Sequence, residues 1–340
     1  MADLLHLVDK PEGWTSHDVV ARLRGILGER RIGHAGTLDP FASGLLVLGE
    51  GRTTALLSCI GLLPKRYVAR ALLGVETDTQ DRTGTVVKRS GAIPDAARVR
   101  AALERFRGPG VQVPPAYSAV KVGGERSYRA ARRGEERERK PRPIHVYALD
   151  LVEPRAAGPY AVEPQSRSGS SGPDASGPEA ELDVTVSRGT YVRTLAHDLG
   201  QALGCGAHLT SLRRVAIGPF RVEEALSPSR EAGHDVARFR ERALRPERAL
   251  AFLPYVRLAE GEAERLRQGA APLADPARVE AASEAYPLPP GEPGWPLALL
   301  DPAGTLLGIA RPAALQRAGA PLALLRVVSA PAQRAGESAA

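Results

Sequence analysis

One carboxylate in this 340-residue chain is framed as a reactive group would be. Asp39 sits inside the run His34-Ala-Gly-Thr-Leu-Asp-Pro-Phe-Ala-Ser-Gly-Leu-Leu-Val-Leu-Gly. Proline at position 40 pushes the residue before it out of the helical region, so Asp39 is held extended or in a turn. Gly36 and Gly44 allow sharp bends on either side and the close approach of a bulky ligand. Phe41 and Leu45-Leu46-Val47-Leu48 anchor the loop in a core. A carboxylate held this way can serve as a nucleophile or as a general base. A bare Asp-Pro pair is ordinarily only a turn, so the argument for chemistry rests on the whole run.

The flanking sequence supplies the elements that must position this loop. Leu4 to Val8 reads as a strand running into Lys10-Pro11. Thr15 or Ser16 caps a helix whose Val19, Val20, Leu23, Ile26 and Leu27 form one apolar stripe ending at Gly28. Leu45 to Leu48 is a buried strand, and Thr53 to Leu63 a helix stopped by Pro64. Arg66 to Leu73 and Thr85 to Val87 read as paired strands around a polar turn. Asp95 to Phe106 is an amphipathic helix with Pro94 before it and Gly108 after it. Thr190 to Leu203 is a helix with Thr190 as its cap and Gly204 as its stop. Helices and strands alternate without a regular βαβ beat, which predicts a mixed α/β sheet with helices packed on it.

Hydrophobic residues make up 43% and charged residues 25% of the chain, an ordinary globular composition. Lys and Arg outnumber Asp and Glu by 46 to 39, which favours a polyanionic partner without establishing one. The two cysteines, Cys59 and Cys205, form no CxxC, and the seven histidines show no zinc-ligand spacing. A reducing compartment and no structural metal are expected. The longest apolar run, around Ala55 to Leu63, is too short to span a membrane. The N-terminus has no basic region followed by an apolar core. The expected location is the cytoplasm.

Residues 118–143 hold nine basic residues, among them Lys121, Arg126, Arg129, Arg132 and Arg133, against four acidic ones. Tyr117 and Tyr128 lie beside or within this window. Such runs are usually solvated faces, but basic side chains interleaved with aromatics also make a nucleic-acid clamp. Residues 155–181, rich in Gly, Ser, Pro and Ala, read as a flexible insertion in the loop of a hairpin formed by Ile144 to Val152 and Leu182 to Ser187. A second basic patch falls at Arg213-Arg214. From Pro254 the pattern changes to short strands and turns: a helical Glu262 to Gln268 segment, a hairpin from Leu297 to Ile309, and a last strand at Leu322 to Val328. Residues 254–330 are therefore expected to form a small β domain, with a disordered tail over 331–340.

Further segments fall in an informative order. They are Lys65-Arg66-Tyr67 with Glu76-Thr-Asp-Thr-Gln-Asp81, then Pro114-Pro-Ala-Tyr117-Ser-Ala-Val-Lys121. Ser187-Arg-Gly-Thr-Tyr191-Val-Arg193-Thr and Gly204-Cys-Gly-Ala-His-Leu-Thr-Ser-Leu212-Arg-Arg follow. Together with the Asp39 run, these resemble the motifs of the TruB family, the bacterial tRNA pseudouridine-55 synthases. The resemblance covers nearly all of residues 4–225. It is much weaker over the C-terminal β domain, which resembles a PUA-type RNA-binding module. The chain departs from the family pattern in the 155–181 insertion and in a proline-rich connector near 290, neither of which touches a motif.

The resemblance implies an α+β pseudouridine synthase fold, with a mixed and mostly antiparallel sheet, over residues 1–250. A thumb at 118–143 would grip RNA, and a β-barrel-like PUA-type domain would occupy 254–330. The implied substrate is the T-arm of tRNA, taken by a monomer with no obligatory protein partner. The reaction breaks the uracil N1–C1′ bond, turns the base and rejoins it through C5. It is redox-neutral, so no metal or organic cofactor is expected. Asp39, Tyr67 and Arg193 form the candidate catalytic set, with Arg193 holding the carboxylate ionised and oriented. Tyr67 would stack on the target base and accept the C5 proton, Tyr191 and Leu212 line its pocket, and His34 hold the flipped nucleotide. Asp81 either hydrogen-bonds within that pocket or is an acidic turn residue. Lys121, Arg126, Arg129, Arg132, Arg133, Arg213 and Arg214 are the candidate RNA contacts. Two rival readings are an RNA-folding protein with secondary catalysis and an RNA-guided synthase. The intact Asp39, Tyr67 and Arg193 set argues against the first, and the thumb-like segment against the second. A glycoside hydrolase would ordinarily bring a second carboxylate to match Asp39, and no motif supplies one.

Overall fold

The computed structural model describes residues 3–118, 121–122, 125–127, 133, 135, 138–152, 178–228, 236–311 and 319–328. Arg129, Arg132, most of the 155–181 insertion and the 331–340 tail lie outside the described residues. Two compact units divide the chain: Met1–Leu38, Gly44–Leu63 and Ile217–Ala340 form one, Asp39–Ser43 and Pro64–Ala216 the other.

In the first unit, β1 (Leu5–Lys10) leads to α1 (Ser16–Leu27), β2 (Ile32–His34) and β3 (Ser43–Glu50). β3 pairs antiparallel with β1, from Leu5↔Gly49 to Lys10↔Gly44, and with β2 at Ile32↔Glu50 and His34↔Leu48. Nearly every residue of β3 is buried, as its continuous apolar run requires. Thr15 caps α1 through a reciprocal box: Asp18 N donates to Thr15 Oγ1 (3.1 Å), and Thr15 N to Asp18 Oδ2 (2.7 Å). Val19, Val20 and Leu23 face the core, and Gly28 ends the helix at φ 66°. The expected helix over Thr53–Leu63 begins as a 3-10 stretch, Gly51–Leu56, before α2 (Leu57–Leu62).

The second unit carries the wide sheet. Its strands are β4 (Lys65–Leu73), β7 (Gly108–Gln112), β10 (Arg142–Leu151), β11 (Glu179–Val186) and β12 (Ala207–Ile217), in the order β12-β4-β11-β10-β7. The β4–β11, β11–β10 and β10–β7 ladders are all antiparallel. The hairpin expected between Arg66–Leu73 and Thr85–Val87 is corrected here. β4 lies between β11 and β12, and β6 (Val86–Arg89) pairs with β5 (Val75–Thr77). Gly74, at φ 91°, turns the chain between β4 and β5. α3 (Ala96–Leu103) has Asp95 as its N-cap, and the two-residue strands β8 (Lys121–Val122) and β9 (Glu125–Arg126) pair within the basic segment.

α4 (Val192–Leu203) contacts β4, whose inward positions include the small Ala69 and Ala71. Leu195 and Leu199 are buried, each stabilising the fold by roughly 1.5–3 kcal/mol. Gly200 lets the following turn fold directly onto the helix. Cys205 N and Gly206 N donate to Gly200 O at 3.1 and 2.9 Å, and a methyl at Gly200 would overlap backbone atoms of Gly206 and Ala207. Gly200→Ala is therefore expected to lower stability by about 3 kcal/mol, read from the urea unfolding midpoint. A loss under about 0.5 kcal/mol, as at an ordinary surface position, would mean the turn relaxes freely.

The remaining strands fall in the first unit. β13 (Phe220–Arg221) precedes β14 (Tyr255–Arg257), β15 (Leu297–Leu300), β16 (Leu306–Ala310) and β17 (Leu324–Val327). The last four form a sheet in that order, with β14–β15 parallel and the other pairs antiparallel. No ladder closes it among the described residues. The helix Glu260–Arg267 contributes Ala263 and Leu266 to its core, with Leu299 and Leu307. No described helix is long and apolar enough to cross a membrane.

Candidate active site

The Asp39 loop is a hydrogen-bonded turn. Ala42 N donates to Asp39 O at 3.1 Å across Pro40 and Phe41, with proline where such turns prefer it. The residue before it is fixed by the start of α1. Leu38 N donates to Ser16 Oγ (2.9 Å), which donates back to Leu38 O (3.3 Å).

Three segments far apart in sequence converge on Arg193, the second residue of α4. NH2 donates to Asp39 Oδ1 (3.2 Å) and to Tyr117 O (2.9 Å). NH1 donates to Thr79 O (2.9 Å) and to Asp81 Oδ2 (3.2 Å). Nε lies 2.9 Å from Asp39 Oδ2, an ion-pair contact without hydrogen-bond alignment. The Arg193 side chain is 4% exposed and that of Asp39 33%. The cation is thus sealed in, while the carboxylate it holds remains reachable. Two carboxylates share one guanidinium. Both lie near the N-terminus of α4, where the helix dipole favours anions and offsets its aversion to Arg193.

Asp81 is built into its turn. Its Oδ1 accepts from Thr79 Oγ1 (2.9 Å), Thr83 N (2.9 Å) and Thr83 Oγ1 (2.5 Å), leaving Oδ2 for Arg193. Asp81 is both a turn residue and a second anchor for the guanidinium. Gln80, in the same turn, has φ 62°, the one positive value at a non-glycine among the described residues. This conformation costs roughly 1–2 kcal/mol. It is held by Thr194 Oγ1 donating to Gln80 Oε1 (2.8 Å) and Leu209 N donating to Gln80 O (3.1 Å).

The cap of α4 differs from expectation: Tyr191, not Thr190, is the N-cap, and its side chain makes no capping bond. Instead, the amide of Gln112 reaches the Tyr191 backbone from β7. Burial raises the Tyr191 phenol above its usual range, so it is neutral at physiological pH. Tyr67 is buried on β4 between Lys65 and Ala69 on the inward face, and Leu212 is buried on the neighbouring β12. Burial, with Arg214 and Arg188 nearby, lowers the Lys65 ammonium to about 7.

The other expected residues divide. His34 ends β2 in the first unit, half-buried. Arg213 is half-buried, with NH1 3.3 Å from Ser43 Oγ, but Arg214 is 1% exposed. Strand alternation puts Arg214 on the inward side with Leu212, so the pair is not a two-residue surface patch. Arg133 forms an exposed ion pair with Glu135 at 2.6 Å. Lys121 and Arg126 lie on the β8–β9 ladder. Sequence reasoning missed Gln112, Thr79 and the Tyr117 carbonyl. For Gln112 the sequence signal pointed the wrong way: Val111-Gln112-Val113 reads as valines in and glutamine out, whereas Gln112 is buried and the valines are exposed.

Comparison with known proteins agrees with this architecture. The chain is similar to a solved structure titled a Cbf5-Nop10-Gar1 complex, with TM-score 0.67 and 24% identity, over 96% of this chain and 85% of that one. That likeness shows the fold. Residues 24–192 match the N-terminal domain of the TruB family pseudouridylate synthases, and residues 193–243 the C-terminal domain of tRNA pseudouridylate synthase B. These family matches define a pseudouridine synthase, an isomerase. Similarity to tRNA pseudouridine synthase B of Thermobifida fusca is 44% over 270 residues, 79% of this chain and 86% of the relative. The corresponding protein of Symbiobacterium thermophilum is 44% identical over 264 residues, 77% and 81% of the two chains. The chain belongs to the TruB family.

Proposed function

We propose that this protein converts the uridine at position 55 in the T-loop of tRNA to pseudouridine, with Asp39 as the essential carboxylate. The observation carrying the proposal is the sealed Arg193 guanidinium, which fixes a reachable Asp39 carboxylate. The target base leaves its stack at a cost of a few kcal/mol, offset by aromatic contacts in the pocket. Tyr67 stacks on the base, Tyr191 and Leu212 line the pocket, and His34 steadies the flipped nucleotide. Asp39 supplies the anion that allows the N1–C1′ bond to break; the turned base rejoins through C5, whose proton passes to Tyr67, while the freed N1 takes up a proton. The new bond replaces the one broken, so the reaction uses neither metal nor organic cofactor. Asp81 acts through Arg193, as an anchor.

The segment 118–143 grips the T-arm, and residues 254–330 serve as a PUA-type RNA-binding module. The protein acts as a monomer in the cytoplasm. Incubating unmodified tRNA with the protein and mapping pseudouridine by chemical labelling tests the proposal. Labelling at position 55 is expected; no label, or label elsewhere, overturns it.

Neutralising Arg126, Arg129, Arg132 and Arg133 together is expected to weaken tRNA binding and flatten its salt dependence. Each lost phosphate contact reduces the magnitude of the log–log slope by roughly 0.7–0.9. Unchanged affinity and slope in a filter-binding titration would make this run a solvated face.

A further inference from the structure

β7 delivers one polar side chain into the interior. Gln112 is 4% exposed, between Val111 at 71% and Val113 at 45%. Its amide takes both backbone groups of Tyr191: Nε2 donates to Tyr191 O (3.1 Å), and Tyr191 N donates to Oε1 (2.8 Å). Tyr191 O also accepts from Leu195 N at 3.0 Å, the first bond of α4. A helix start leaves backbone donors without intrahelical partners, and a Ser, Thr, Asp or Asn cap normally orders it. α4 has no such side chain of its own. Gln112 instead holds, from outside the helix, both backbone groups of its N-cap residue, two positions before Arg193.

The segment that carries Gln112 returns to the same helix start at Tyr117, whose carbonyl accepts from Arg193 NH2. It therefore meets α4 twice, once at the backbone and once at the guanidinium. Resting on the function proposed above, we infer that Gln112 is a positioning residue for the isomerisation. By clamping the Tyr191 backbone it fixes the first turn of α4 and so the aim of Arg193 at Asp39. The requirement is specific. Glutamine donates and accepts at this reach, glutamate has lost the donor, and asparagine is one methylene short.

Gln112→Ala and the near-isosteric Gln112→Glu are compared with wild type in single-turnover pseudouridine formation, alone and on an Arg193→Lys background. Each single variant is expected to slow the reaction by at least about tenfold, with tRNA affinity changed by less than about threefold, a difference well under 1.4 kcal/mol. On the Arg193→Lys background the further loss is expected to shrink to about twofold, because residues acting through one group are not additive. A rate within about twofold of wild type, a loss seen only in affinity, or a full additional loss on the Arg193→Lys background overturns the inference. Failure of both variants to fold overturns it as well, making Gln112 a fold determinant only. Absence of pseudouridine with the wild-type protein instead overturns the function on which the inference rests.

Discussion

Replacing Asp39 by Asn is expected to abolish pseudouridine formation, lowering turnover by at least about 10³-fold, while tRNA affinity stays within a few-fold. Asparagine preserves the size of the side chain and one oxygen acceptor, so the Asp39–Ala42 turn and the Arg193 NH2 contact can persist. The negative charge is what disappears. Among the described residues Arg193 then keeps only Asp81 as an anionic partner, and nothing at position 39 can act as a nucleophile or take a proton. Binding draws on phosphate and stacking contacts across the RNA, to which a single carboxylate contributes little. Turnover within about tenfold of wild type would remove Asp39 from the reaction. A collapse of affinity would place it in binding.

Local rules made part of this site legible. Asp-Pro predicted a turn, the glycines around it predicted bends, and the structure has the Asp39–Ala42 turn leading straight into the buried β3. The Thr15 cap and Gly28 stop of α1 follow from capping chemistry acting over one helical turn. The β10–β11 hairpin was visible because alternation survives a long insertion.

What stayed hidden depends on contacts across long stretches of chain. The family resemblance paired Arg193 with Asp39, but Arg193 also meets Thr79 O, Asp81 Oδ2 and Tyr117 O, and no spacing rule connects those positions to a helix start. Thr190 looked like the cap because threonine prefers that role, but Gln112 already holds the Tyr191 backbone, and Tyr191 takes the position. Arg214 looked exposed because arginine usually is. Its register with Leu212, two residues earlier on β12, puts it inside instead. Asp81 was read as either a pocket residue or a turn residue; its Oδ1 serves the turn, and its Oδ2 meets the Arg193 guanidinium.

Arg193→Lys separates charge from geometry. Lysine keeps the positive charge but carries it as a point on a flexible stem, whereas the guanidinium is a planar fork. In the structure that fork serves four acceptors from three segments: Asp39 Oδ1, Tyr117 O, Thr79 O and Asp81 Oδ2. An ammonium has three donors and cannot reach acceptors on opposite sides at once. With the side chain sealed from solvent, acceptors left without a partner cost about 1–3 kcal/mol each. The ammonium is therefore expected to settle towards one side of the site, and Asp39 loses its fixed orientation when it does. Turnover is expected to fall by at least about tenfold, equivalent to ~1.4 kcal/mol of transition-state stabilisation, with tRNA affinity little changed. The melting temperature should fall too, because Thr79, Asp81 and Tyr117 lose a common partner. Near-normal single-turnover rates in the Lys variant would mean that charge alone suffices and that Asp39 is oriented by its own turn. A loss confined to tRNA affinity would make Arg193 a phosphate contact, against its burial beneath the carboxylate.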